Sequence, residues 1–134
     1  MATAKRMTYF KAKVEDRPGG LLSLAADLKE KNIDLVSLKG VSHEGQGDVL
    51  VVPNNPEKMR IAWNATGTLV EEGTLFFLSG ANKTGALTES LEALAKSDVN
   101  IVAIEAGAIG TRFGAFVWVS PNDVEKTAQA LKAT

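Results

Sequence analysis

The chain repeats its own pattern. Placing Asp16 on Asn82 is a shift of 66 residues, and the same shift sets Gly19 on Gly85, Leu21 on Leu87, Leu28 on Leu94, Ile33 on Val99, Leu35 on Ile101 and Leu38 on Ile104. Further along, a shift of 68 sets Pro53 on Pro121, Asn54 on Asn122, Glu57 on Glu125 and Lys58 on Lys126. The two extra residues are expected in the second hairpin, Gly107 to Gly114. Helix starts, apolar phases and caps agree in one register, which marks an internal duplication. Each copy alone is too small to bury a sizeable core, so the copies are expected to support one another.

One copy reads as β-α-β-β-α-β. Residues Met1 to Arg6 carry little pattern and are expected to be a frayed lead-in. The alternating run from Tyr9 to Val14 predicts a strand from about Met7 to Glu15. A helix is predicted from about Pro18 to Lys31, with Leu21, Leu24, Ala25 and Leu28 on its buried stripe and Asn32 at its end. Ile33 to Val41 and Asp48 to Val52 are the next strands, joined by a turn at Ser42 to Gly47. Asn54 or Asn55 caps a second helix that opens with Pro56 and places Met59, Ala62 and Trp63 on one face. Thr68 to Val70 is a short fourth strand, and Glu71 to Gly73 turns the chain into the apolar run Thr74 to Ser79. The expected class is α+β: two ferredoxin-like repeats, residues 7–72 and 73–134, each an antiparallel sheet with helices on one face. The second repeat lacks a last strand of its own. The edge of Leu75 to Ser79 is therefore expected to be covered by Thr68 to Val70, by another chain or by a long excursion from the first copy, because a bare apolar edge invites aggregation.

Composition removes several function classes. With 45% hydrophobic and 23% charged residues the chain has the balance of a globular protein, and its formal charge of -1 gives no basic surface for nucleic acid. An RNA-binding module of this topology also needs aromatic residues on its central strands, and Trp63 and Trp118 fit core packing better. There is no cysteine, and the single His43 cannot make a multi-histidine metal site. No cofactor is expected. No apolar run approaches a membrane-spanning length, so no membrane partner is expected and a cytoplasmic protein is the default. His43 is either a pH-sensitive group or an exposed turn residue.

The stretch Asp16-Arg17-Pro18-Gly19-Gly20-Leu21 lies where a strand stops and a helix starts. Pro18 presets a first helical turn, and the two glycines let another molecule approach the open N–H groups of Gly19, Gly20 and Leu21. A small carboxylate would sit there, with Asp16 accepting from an ammonium group. The bland alternative is that these residues only make the corner.

This stretch, with Asn32-Ile33-Asp34-Leu35, resembles the signature of ACT domains, which bind amino acids and regulate biosynthetic enzymes. The second copy is similar through Asn82, Gly85, Leu87, Val99, Asn100 and Ile101, but has Thr84 for Pro18 and Ala86 for Gly20. The resemblance covers about Met7 to Thr134. It implies a ligand between two modules, held by the loop before helix one of one module and by strand two of its neighbour. The expected ligand-binding residues are Asp16, Arg17, Pro18, Gly19, Gly20, Leu21, Ile33 and Asp34, with Asn82, Gly85, Ala86, Leu87, Asn100 and Ile101 in the second copy. The expected function is a non-enzymatic module, a sensor of a free amino acid or similar small zwitterion, working as a homodimer and acting on a biosynthetic enzyme. The alternatives are an interaction or oligomerisation subunit with a vestigial site, and a small enzyme using Asp16, Asp34, His43, Glu44 or Arg112, whose spacing matches no triad, metal site or carboxylate pair.

Overall fold

The computed structural model describes residues 1–134, the side chain of His43 excepted. The reading of that imidazole therefore lies outside the described residues. The elements run β1 (Thr3–Glu15), α1 (Gly20–Glu30), β2 (Leu35–His43), β3 (Gln46–Pro53), α2 (Pro56–Thr66), β4 (Glu71–Ala81), α3 (Thr88–Lys96), β5 (Ile101–Ile109), β6 (Arg112–Val119), a 3-10 turn (Pro121–Asp123) and α4 (Val124–Leu131). The fold is α+β and ferredoxin-like. The chain divides into two compact units: Thr8–Gly73, and Met1–Met7 together with Thr74–Thr134.

In the Thr8–Gly73 unit the strand order is β2-β3-β1, with both pairs antiparallel. Phe10 lies opposite Val51 and Ala12 opposite Val49. These alternate residues face the helices and share a core with Leu28, Met59 and Trp63. Phe10 meets Trp63 edge to face at 6.5 Å. Each large side chain buried this way contributes roughly 1.5–3 kcal/mol. Asn55, of the two candidate caps, accepts from the Lys58 N–H at 3.1 Å, and Pro56 occupies the first turn. Helix α1 starts at Gly20, later than the sequence suggests, and its inward residues are Gly20, Leu24 and Leu28. Leu21 is consequently 45% exposed, and Ala25 is also outside the core.

The other unit has the order β1-β4-β6-β5, with only the opening of β1 belonging to it. Phe76, Leu78, Ala115 and Val117 line one face and pack with Leu94 of α3 and Leu131 of α4. The expected lead-in is corrected here: Ala4 is 3% exposed within this core. Arg6 N–H donates to Thr134 O at 2.9 Å, Thr134 N–H donates to Ala4 O at 3.1 Å, and the Arg6 guanidinium holds Glu125 through two bonds of 2.9 and 3.0 Å. The opening residues thus stand in the place of the missing last strand, beside β4. Thr68 to Val70 is no strand, and Glu71 to Gly73, expected as a turn, begins β4.

The hairpins are equal in length. Their closing pairs are His43 with Gln46 and Ile109 with Arg112, and their open ends are Leu35 with Pro53 and Ile101 with Val119. Every one of these partners is related by the same shift of 66, so the two extra residues are not in the Gly107 to Gly114 hairpin. They lie after β6, where the 3-10 turn Pro121–Asp123 takes them up before α4.

Candidate functional site

The loop between β1 and α1 is built from short local bonds. Arg17 N–H donates to Glu15 O at 2.9 Å, Gly20 N–H to Arg17 O at 3.1 Å, and Ser23 N–H to Gly19 O at 3.0 Å. Gly19 takes φ 87, a left-handed conformation that a residue without Cβ adopts freely. Gly20 is needed for a different reason. A Cβ there would stand 2.5 Å from the Glu15 carbonyl oxygen, so the helix can begin against the strand only if the side chain is absent.

The loop's charges are partly committed. The Asp16 carboxylate accepts from the Ser42 hydroxyl, which ties the loop to the end of β2. Arg17 Nε donates to Glu15 Oε2 at 2.5 Å. Of the three N–H groups expected to face a carboxylate, that of Gly20 is used inside the loop, whereas those of Gly19 and Leu21 have no backbone acceptor among the described residues. Asp16, Arg17, Pro18, Gly19 and Leu21 are all exposed, and Leu22 beside them is 72% exposed.

The loop before α3 repeats part of this design. Gly85 has φ 75, matching Gly19, and Ala86 N–H donates to Lys83 O at 3.0 Å, matching the Gly20 bond. Asn82 is anchored through its N–H to Thr111 O at 2.8 Å. Where Ala86 replaces Gly20, Thr84 to Leu87 stays a turn and the helix begins only at Thr88. The later start accords with the Gly20 position, where there is no room for a Cβ. Asn82 and Gly85 are exposed, and Ala86 and Leu87 are half-buried.

The remaining expected residues lie elsewhere. Ile33 is buried, and Asp34 is exposed with its carbonyl accepting from Asn54 N–H at 2.9 Å. They sit past the far end of α1, about 16 Å along the axis from Gly20 at 1.5 Å per residue. Asn100 and Ile101 are likewise separated from the Asn82 loop by α3. Within one unit, a molecule the size of an amino acid cannot touch the loop and the start of β2 together. What sequence reasoning missed is Ser42, a hairpin residue whose approach to Asp16 no local pattern announces. Among the described residues there is no group of three or more His, Asp or Glu side chains that could hold a metal ion, and no helix long and apolar enough to cross a membrane.

Comparisons with known proteins give similarity in fold. No protein-family model matches the sequence, and no curated protein does. Among solved structures, protein BT0572 from Bacteroides thetaiotaomicron is similar with a TM-score of 0.83 at 22% identity, over 96% of this chain and 88% of that one. The ligand-free regulatory subunit of aspartate kinase from Thermus thermophilus gives 0.65 at 12% identity, over 98% and 94%. Aspartokinase III of E. coli, in complex with aspartate and ADP, gives 0.55 at 17% identity, over 96% of this chain and 31% of that one. At these identities the likeness establishes the fold.

Proposed function

We propose that this chain is a non-enzymatic regulatory module of two ACT-type repeats that binds a free amino acid or similar small zwitterion. The observation that carries the reading is the pair of left-handed glycines, Gly19 and Gly85, at the same place in the two repeats, each just ahead of a helix. The ligand carboxylate meets the open N–H groups of Gly19 and Leu21, and its ammonium meets Asp16 in competition with Ser42. The start of β2 in a neighbouring module, Ile33 and Asp34, completes the contact, with Asn82, Gly85, Ala86, Leu87, Asn100 and Ile101 as the counterparts in the second repeat. The helix end supplies roughly 0.3–1 kcal/mol when exposed. Millimolar binding needs about 4 kcal/mol, so the second wall is required. That requirement couples ligand to association: the ligand favours whichever arrangement apposes the two walls, here a homodimer acting on a biosynthetic enzyme. The regulatory fold of the aspartate kinase subunits supports the reading.

A thermal-shift panel of free amino acids at millimolar concentration tests it, with sedimentation to follow association. One or a few amino acids should raise the melting temperature and shift the oligomer distribution. In Gly19→Asn, a residue that tolerates the left-handed region, the side chain covers the approach and the response should disappear with the fold intact. A silent panel, or an unchanged response in the variant, would leave an interaction subunit as the better description.

A further inference from the structure

At the opposite end of α1 from the glycine loop, the Thr8–Gly73 unit has an open cavity of about 240 Å³ between the last turns of the helix and the start of β2. Leu28 and Ile33, both buried, line it together with Ala25 and Leu35. Lys29 and Asp34 also line it, and neither side chain has a partner among the described residues. Charges close by are engaged: Lys31 holds Asp27 at 2.9 Å, and Lys58 Nζ donates to Asn32 O at 2.6 Å. Asn32 completes the wall, so one free cation and one free anion border a small, open hollow of mixed polar and apolar character.

The duplication supplies an internal control. The shift of 66 places Leu91 at the position of Ala25, Ala95 at that of Lys29 and Asn100 at that of Asp34. Two backbone hydrogen bonds at the helix end are the same in both repeats. Ile33 N–H donates to Leu28 O at 2.9 Å as Val99 N–H donates to Leu94 O at 3.0 Å, and Asn32 N–H donates to Lys29 O at 3.0 Å as Asp98 N–H donates to Ala95 O at 3.1 Å. The same backbone thus accepts a bulky leucine and no charge. The small residue and the two opposite charges at the Ala25 end are not imposed by the fold.

We propose that this cavity is a second small-molecule site, for a free α-amino acid with an aliphatic side chain. Its carboxylate faces Lys29, its ammonium faces Asp34, and its side chain lies on Leu28 and Ile33 in the space that Ala25 leaves. A volume below the usual range for drug-sized ligands suits a molecule of this size. The site is complete within one unit and does not use the glycine loop, but it shares Ile33 and Asp34 with the wall proposed above for a neighbouring module's loop, so a ligand here competes with that apposition.

Amide NMR of the full chain, titrated with L-leucine and L-valine to about 10 mM, an order above the millimolar affinity expected for so few contacts, tests the proposal. Saturable shifts confined to residues 25–35 are expected. 4-Methylpentanoate and isoamylamine, which each lack one charge, should bind about tenfold more weakly or not at all. Ala25→Leu and the double variant Lys29→Ala with Asp34→Asn install residues that the second repeat already carries, so native spectra with the titration lost are expected. Gly19→Asn should leave these shifts in place even where it abolishes a response at the loop. Absence of saturable shifts in the wild-type chain, undiminished binding in Ala25→Leu, equal binding of the singly charged analogues, or loss of the shifts in Gly19→Asn would overturn the assignment.

Discussion

Lys58 Nζ donates to the main-chain carbonyl of Asn32 at 2.6 Å, and in the second repeat Lys126 Nζ donates to the carbonyl of Asp98 at 3.0 Å. Both acceptor residues follow the first helix of their unit and take left-handed backbone, φ 60 at Asn32 and φ 57 at Asp98. The chain leaves the helix there and drops at once into the core, through Ile33 or Val99. A carbonyl stranded at a helix end needs a partner, and in each unit a lysine from the second helix provides it.

The left-handed conformation at Asn32 gives a graded prediction. An ordinary L-residue pays roughly 1–2 kcal/mol there, while asparagine and glycine adopt it more readily. Asn32→Ala should lower stability by about 1 kcal/mol, and Asn32→Gly should stay within about 0.5 kcal/mol of wild type. Urea midpoints at unchanged m-value measure both. Equal losses in the two variants would mean that the asparagine side chain, and not its backbone, matters.

Gly20 and its neighbour should respond to different forces. At Gly20 an added Cβ meets the Glu15 carbonyl oxygen at 2.5 Å, so Gly20→Ala must push the helix from the strand, which overpacking data put at about 1–3 kcal/mol. At Gly19 nothing lies within 4 Å of an added Cβ, and only the left-handed φ resists substitution. Gly20→Ala is therefore expected to be the more damaging change and to delay the helix start, which in the second repeat, with Ala86 at this place, comes at Thr88. Chemical denaturation gives the first result and amide shifts of residues 20–23 give the second.

Much of this was legible because duplication supplies two readings of one pattern. The left-handed glycines, the helix ends and the lysine caps fall at positions that the register of Gly19 on Gly85 and Lys58 on Lys126 already paired. What stayed hidden depends on long-range contact. Ala4 has no periodic signal around it, and only the vacancy beside β4 makes residues 3–7 a strand. The sequence register puts the extra residues in the second hairpin and not after it, because the aligned prolines, Pro53 and Pro121, end a strand in one copy and open a 3-10 turn in the other. At the candidate site, the Asp16 loop could be found from its glycines, whereas its bond to Ser42 joins residues that lie 26 apart in sequence; the cavity beside Ala25 is local to residues 25–35, but its shape depends on how the end of α1 turns into β2.

Two buried hydroxyls mark where the repeats pack differently. Ser90 on α3 and Thr127 on α4 are fully buried, and neither hydroxyl has a partner among the described residues. The same positions in the first repeat are Leu24 and Met59, which pack into its core. An unsatisfied buried hydroxyl costs about 1–3 kcal/mol, and its replacement by an apolar group of the same shape is neutral or favourable. Thr127→Val and Ser90→Ala should each hold or raise the melting temperature. A fall in either would show that the hydroxyl is satisfied, by a buried water for example.

Tyr9 ties stability to high pH. Its hydroxyl donates to Glu71 Oε2 at 2.8 Å, and its ring covers Gly73, where an added Cβ would come within 2.8 Å of it. Burial first, then the hydrogen bond and negative charge of Glu71, push the phenol up to about 12. A phenol ionises near pH 10 in the unfolded chain but stays neutral when folded, so its stabilising contribution is whole below about pH 10 and disappears as pH rises toward 12. Tyr9 is the only tyrosine, so phenolate absorbance reports it directly. The wild-type melting temperature should fall more steeply than that of Tyr9→Phe over this window, with the lysine titrations common to both. Parallel curves, or a phenol titrating near its ordinary value in the folded chain, would show that the Glu71 contact does not persist in solution.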